Sequence, residues 1–357
     1  MKIRVRTEKL KNGMIIADEV YSIIGSLIIP ANTKVTKKVI DLLNFHRIPI
    51  VAVVQEVQKN VPVKEEKTHL EKVRESKEFK AFETNFNQVT SDLEGKINEI
   101  VYLDKEVNIE ELWNNLNTLI NHTDNSIACY DLLRSMKHTS DFTYIHSVNV
   151  ALISNMIAKW LKLSQKDIEL ISVAGLLHDI GKTLLPKEII EKQELINSTE
   201  IMEYKRHCTL GYNILKEKDI ERKIQLVALT HHERCDGSGY PLRLRSQDIC
   251  SYAKIIAIAD TYDEFTAIHV NRKTVSPFRV IEMFETEGLH QFDTSIMLTF
   301  LSSILDTYVH SDVLLSNGQK GKIIFVNKAA PSRPVVKVGN QFIDLLINSN
   351  ISVERII

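Results

Sequence analysis

The stretch Ile171-Ser172-Val173-Ala174-Gly175-Leu176-Leu177-His178-Asp179-Ile180-Gly181-Lys182 decides how this chain is read. An apolar run delivers an imidazole and a carboxylate side by side, and Gly181 follows almost at once. Upstream, Ser164 and Asp167 have the spacing of a capping box, which predicts a helix over 165–178. A helix that carries His178 and Asp179 to its buried end and then stops is building a site. Neighbouring helix positions diverge by about 100°. Asp179 could therefore bridge two metals while His178 binds one.

Five further residues of ligand type lie in the surrounding helical sequence: His146, His207, His231, His232 and Asp260. His231-His232 follows the apolar run Ile224–Thr230 and precedes Glu233 and the turn Asp236-Gly237-Ser238-Gly239-Tyr240-Pro241. Two glycines and a proline in those six residues impose a tightly defined loop. Asp260 closes the run Ile255–Ala259, so it reads as a carboxylate at a buried end. Taken singly, each has a plain structural explanation: a core histidine, a surface pair, a helix cap. Together, seven such residues on four or five helices, each flanked by apolar sequence, do not. Buried imidazoles and carboxylates need partners, and metal ions supply them for several at once. Mixed nitrogen and oxygen ligands without thiolate argue against a cysteine-type structural zinc site. They suit iron, manganese or another metal that accepts octahedral geometry.

The composition narrows the alternatives. The chain has 357 residues, 44% hydrophobic and 25% charged, which excludes a largely disordered polymer and allows two or three domains. With 45 basic and 46 acidic residues there is no basic excess for a nucleic-acid coat, so no DNA partner is expected. Four cysteines without a C-x-x-C pair point to a reducing compartment. The apolar stretch Ile23–Ala31 is interrupted by Gly25 and Pro30 and is too short to span a bilayer. A soluble cytoplasmic protein with no membrane association is the expectation.

The architecture reads as mainly α, in four parts. Residues 1–55 form a small α/β N-terminal accessory domain, with strands at Met14–Ala17 and Ser26–Ile29, a helix over Thr36–Phe45 and a β-branched run at Ile48–Val54. Residues 56–82 are a charged linker or a solvated helix, since Lys64–Lys80 holds 11 charged residues among 17. Residues 83–311 are helical, including Glu110–Asn121, His146–Leu163, a helix opened by Ser276-Pro277 and one of 294–309 capped by Asp293. Residues 312–357 are a small β extension with strands at Gly321–Asn327, Pro334–Val338 and Phe342–Ile347.

His178-Asp179-Ile180-Gly181-Lys182, together with His231-His232-Glu233-Arg234-Cys235-Asp236-Gly237-Ser238-Gly239-Tyr240-Pro241, resembles the HD-GYP family, a branch of the HD phosphohydrolases. The likeness covers about 135–310, including the segments around His146 and Asp260, and the flanking parts are similar to regions often attached to this domain. It implies a helical metal-dependent phosphodiesterase that hydrolyses cyclic di-GMP to pGpG or GMP through a metal-bridging hydroxide. By position, His146, His178, Asp179 and Asp260 would hold one metal. Asp179 would bridge to a second, completed by His207, His231 and His232. The two ions would be iron or manganese. A third metal is less favoured: the extra carboxylate of some family members falls at Phe142, and Asp141 lies one residue further back.

Lys182 would act with Asp179 in catalysis by facing the scissile phosphate, Tyr240 and Arg272 would contact substrate, and Glu233 would orient a ligand histidine. Tyr240 equally well reads as loop packing. The family's A-L-T-S-D-R-P-Y-R-K stretch here reads Glu264–Lys273, with Ile268-His269 in place of Asp-Arg. An imidazole does not reproduce the bidentate grip of guanidinium on phosphate. A weakly catalytic cyclic-dinucleotide receptor and a phosphohydrolase for another nucleotide, such as cyclic GMP-AMP, therefore stand beside the main reading. By position alone, the N-terminal part would serve a homodimer contact or a signalling partner.

Overall fold

A computed structural model describes residues 2–21, 27–54, 67–123, 125–136, 142–190, 197–266 and 275–357. The chain divides into two units, Met1–Glu66 and Lys67–Ile357.

In the first unit, β1 (Lys2–Arg6), β2 (Ile15–Ile16), β3 (Val20–Tyr21), β4 (Leu27–Ile29), α1 (Lys37–Phe45) and β5 (Ile50–Val54) follow in order. The antiparallel sheet has the order β1-β5-β2, and β3 pairs with β4. Thr36 caps α1 by accepting from the Val39 amide. Ile16, Ile29, Val35, Leu43, Val51 and Val53 are buried together. The first strand was not anticipated, although Ile3 and Val5 alternate with Lys2, Arg4 and Arg6.

The second unit opens with α2 (His69–Glu75) and α3 (Lys77–Tyr102), so the described part of the charged segment is helical. Thr68 and Glu71 close a capping box on α2. Helix α3 is amphipathic along its whole length: Phe79, Phe82, Phe86, Val89, Leu93, Ile97 and Ile100 form its buried stripe. Next come α4 (Ile109–Ile120), α5 (Ser126–Ser135), α6 (Phe142–Trp160), α7 (Gln165–Leu177), α8 (Lys187–Ile190), α9 (Ser198–Leu215), α10 (Arg222–Thr230) and α11 (Ser251–Thr266). They are followed by α12 (Pro277–Thr286), α13 (Gly288–Gln291) and α14 (Thr294–Ile304). Ser164 accepts from the Asp167 amide at the start of α7, as its spacing predicted. Asp293 likewise caps α14, which gives way to a short 3-10 turn at Leu305–Tyr308. Ser276 precedes Pro277 at the start of α12 but makes no side-chain cap.

Two almost wholly buried helices, α6 and α7, form the centre, with nearly every residue of Val148–Ala158 and Ile168–Leu177 out of water. The five antiparallel strands β6 (Asp312–Leu315), β7 (Lys320–Phe325), β8 (Val335–Val338), β9 (Gln341–Asp344) and β10 (Val353–Ile356) have the order β10-β6-β7-β8-β9. Val313, Leu315, Ile323, Val336 and Val353 join the helical core, so this sheet shares one apolar interior with the helices.

A buried histidine and carboxylate centre

Five segments converge on one buried polar cluster. His146 lies in the second turn of α6, His178 caps α7 with Asp179 next to it, and His207 lies on α9. His231 caps α10, His232 follows, and Asp260 lies on α11. Six of the seven are buried, and His232 keeps a partly exposed edge. The reading of Asp260 as a carboxylate at a buried end is corrected: it sits inside α11, as His207 sits inside α9. The apolar run before Asp260 ends there because α11 turns a polar face, Asp260 and Asp263, toward the cluster while staying helical and buried.

Asp179 divides the cluster. Its Oδ2 lies 3.2 Å from His178 Nε2 and 3.7 Å from His146 Nε2. Its Oδ1 lies 3.4 Å from His207 Nε2 and 3.6 Å from His231 Nε2. On the Oδ2 side, Asp260 Oδ1 approaches His146 Nε2 at 3.1 Å. Asp260 Oδ2 faces His232 Nδ1 at 3.5 Å.

Backbone acceptors set the imidazole tautomers. His178 Nδ1 donates to Gly175 O at 2.7 Å, His207 Nδ1 to Tyr204 O at 2.7 Å and His231 Nδ1 to Val227 O at 3.0 Å. Each Nε2 lone pair is thereby aimed into the cluster. His178 Nε2, His232 Nε2 and Asp179 Oδ1 have no hydrogen-bond partner, a costly condition for buried polar atoms unless a cation is the intended partner. The donor set of imidazole nitrogens and carboxylate oxygens fits divalent metal ions.

Electrostatics agree. Burial pushes His207 down to about 3, and burial also lowers His231 and His232, so these rings are neutral at pH 7. Burial opposes the charge on His146, but hydrogen bonds to Asp260 and Asp263 raise it to about 10. Burial would raise the Asp179 carboxyl, yet the adjoining His178 ring and the Lys182 ammonium hold it well below the usual range. Lys182 Nζ sits 2.5 Å from Asp179 Oδ2 as its counter-ion and faces the Tyr204 ring.

Two glycines make the geometry attainable. A Cβ on Gly181 would stand 2.0 Å from the His207 carbonyl oxygen, so only glycine lets the turn after Asp179 press against α9. A Cβ on Gly239 would meet the Arg234 amide nitrogen at 2.4 Å. The loop carrying Gly239 places the Tyr240 ring against His232, centroids 4.7 Å apart and nearly parallel. Glu233 was expected to orient a ligand histidine. Its carboxylate instead accepts from the Leu242 and Leu244 amides at 2.6 and 2.9 Å, pinning that loop.

Three residues escaped the sequence reading. Asp263 accepts from His146 Nδ1 at 2.7 Å and from Asn149 Nδ2 at 3.0 Å, so a carboxylate and an amide hold the His146 ring. Asp263 lies three residues after Asp260 and Asn149 three after His146, the helical spacing that could have exposed them. The third is Cys208, whose Sγ lies 3.3 Å from His207 Nε2, so a thiol adjoins the imidazoles. Arg272, His269 and Asp141 lie outside the described residues. Among the described residues no helix is long and apolar enough to cross a membrane.

A cyclic di-GMP phosphodiesterase of Pseudomonas aeruginosa is 31% identical to this chain over 213 residues, 59% of this chain and 51% of that protein. The cyclic di-GMP phosphodiesterase PdeB of Borreliella burgdorferi is 29% identical over 57% of this chain and 54% of its own length. A 3'3'-cGAMP-specific phosphodiesterase of Vibrio cholerae is 32% identical over 51% of this chain and 35% of its own length. The chain thus spans about half, or less, of the curated relatives it matches. The family model described as HD domain matches residues 107–296, more than half of the chain and all seven residues of the cluster. This chain belongs to the HD domain family and carries the HD-GYP motifs at His178-Asp179 and Gly239-Tyr240-Pro241.

Proposed function

We propose that this chain is a metal-dependent phosphodiesterase that hydrolyses cyclic di-GMP to pGpG or GMP. The observation that carries this reading is the Asp179 carboxylate, whose two oxygens face two different sets of imidazole Nε2 atoms. A carboxylate so placed suits a pair of ions. His146, His178, Asp179 and Asp260 would hold one, and Asp179, His207, His231 and His232 the other. When bound, two divalent ions neutralise phosphoryl charge and supply an attacking water at neutral pH.

The protein's own groups do the rest. Neutral His207, His231 and His232 present lone pairs without first losing protons. Asp263 and Asn149 hold the His146 ring in place. Lys182 offers its ammonium to a non-bridging or leaving phosphate oxygen. Tyr240, partly exposed beside His232, offers a ring face to the substrate. Arg272 remains a proposed phosphate contact.

We assign the chemistry to residues 83–311, with 1–55 as an accessory unit joined through 56–82, and 312–357 as a β extension. The four free thiols suit a reducing, cytoplasmic setting. Cyclic GMP-AMP is the second candidate substrate, favoured by the relative of Vibrio cholerae that is specific for it. Product analysis of metal-loaded protein on cyclic di-GMP and cyclic GMP-AMP tests both. Release of pGpG or GMP from cyclic di-GMP supports the main reading. Turnover of cyclic GMP-AMP alone transfers the proposal to that substrate, and turnover of neither refutes it.

A further inference from the structure

We propose that Cys208 is a further ligand at the His207/His231/His232 side of the centre, and that its thiolate makes this position select zinc or iron(II) over manganese. The inference rests on the reading that metal binds there, and goes beyond it by naming a sulfur donor and the selectivity it confers.

His207 and His231 both donate Nδ1–H to backbone carbonyls, so both Nε2 atoms are bare lone pairs. These lone pairs face each other at 3.4 Å with no proton available between them. Two acceptors held at that distance repel unless a cation sits beside them. Cys208 Sγ lies 3.3 Å from the same His207 Nε2 and is fully buried. Ligand atoms of His207, Cys208, His231 and His232 all fall within 4.8 Å of one another. The buried Asp179 Oδ1, without a hydrogen-bond partner, points at the same two imidazoles.

The separations suit a small first-row ion. With metal–nitrogen bonds near 2.0–2.1 Å and metal–sulfur near 2.3 Å, the edges of a tetrahedron are about 3.3–3.6 Å. The nitrogen–nitrogen edge, 3.4 Å, matches its expected value of about 3.3–3.4 Å, and the nitrogen–sulfur edge, 3.3 Å, lies about 0.3 Å inside the roughly 3.6 Å expected of it. A weak S–H contact to His207 accounts for the thiol while no cation is present. On binding, the thiol proton leaves to solvent and sulfur donates its electron pair to the ion. A soft thiolate favours zinc and iron(II), whereas manganese prefers oxygen donors.

The test is cobalt(II) titration of the metal-free full chain, followed by absorption. Wild type is expected to gain a near-ultraviolet thiolate-to-cobalt charge-transfer band that Cys208→Ser and Cys208→Ala both lose, while the visible cobalt bands persist. Zinc X-ray absorption on wild type, which needs no variant to fold, is expected to show a sulfur neighbour at about 2.3 Å. Cobalt bound with no such band, or an unchanged band in the variants, overturns the sulfur ligand and leaves the metal reading standing. A wild-type zinc shell of nitrogen and oxygen alone does the same. Failure to bind cobalt at all overturns both.

Discussion

Asp263→Asn isolates the contribution of a residue that touches no proposed metal position directly. In the wild type, one carboxylate accepts two buried donors: His146 Nδ1–H at 2.7 Å through Oδ2, and Asn149 Nδ2–H at 3.0 Å through Oδ1. Asparagine is nearly isosteric but has one acceptor oxygen and an NH2 group. Whichever way the amide is turned, one donor meets another donor. Leaving a buried donor unsatisfied costs about 1–3 kcal/mol. The neutral amide also withdraws the negative charge that orients the His146 ring. Changing such a partner of a ligand histidine typically costs 10–100-fold in metal affinity. That factor is about 1.4–2.8 kcal/mol, which agrees with the hydrogen-bond figure. The assay is competition between the protein and a chelator of known affinity, for wild type and Asp263→Asn. The expectation is that one of two ions weakens 10–100-fold while the other keeps its affinity. Equal affinities for both ions in the two proteins would refute the positioning role.

Lys182→Ala is expected to retain its metal, because no ligand is removed, and to lose about 100-fold in kcat as one transition-state charge donor disappears; metal analysis with steady-state kinetics checks both halves. Gly181→Ala forces a Cβ to within 2.0 Å of the His207 carbonyl oxygen, and the shift of α9 is expected to cost about 1–3 kcal/mol in a urea melt and to reduce bound metal. The metal-free protein should carry a pH signature of His207. Its pKa is near 6.5 unfolded but about 3 folded, so its stabilising contribution is complete above pH 6.5 and is lost as pH falls toward 3. By that linkage, wild type should lose about 1.4 kcal/mol more stability than His207→Asn between pH 7.5 and 5.5, and parallel melts in urea would contradict it.

His178, Asp179, His231, His232 and Asp260 were legible in sequence because each follows an apolar run, and His146 adjoins one, whereas His207 lies in the polar stretch Glu203–Thr209 and no such run marks it. A carboxylate or imidazole in such a place carries a desolvation cost that demands a partner. Their distribution about Asp179 was legible only through the family resemblance, since helix packing decides which Nε2 faces which oxygen. Cys208 was passed over because it adjoins His207, and adjacent helix positions ordinarily face apart. Only the side chains' inward reach, with Sγ 3.3 Å from His207 Nε2, brings them together. Glu233 sits next to two ligand histidines, yet a carboxylate there has loop amides closer to hand than any ring nitrogen. In the first unit, β1 has the plain period-two alternation of a strand with one face toward the core. Its three basic residues, Lys2, Arg4 and Arg6, stand on the exposed face and leave no apolar run of the kind that marks the other strands. The C-terminal strands β7, β8 and β9 were marked by their turn residues, while β6 and β10 were not.

The central claim is that Asp179 serves two ions at once. The direct measurement is metal content of anaerobically purified wild type and Asp179→Ala, with products from cyclic di-GMP analysed on the same samples. About two ions per wild-type chain and release of pGpG or GMP are expected, against depleted metal and no product in the variant. An Asp179→Ala protein that keeps both its ions and its hydrolysis would contradict it.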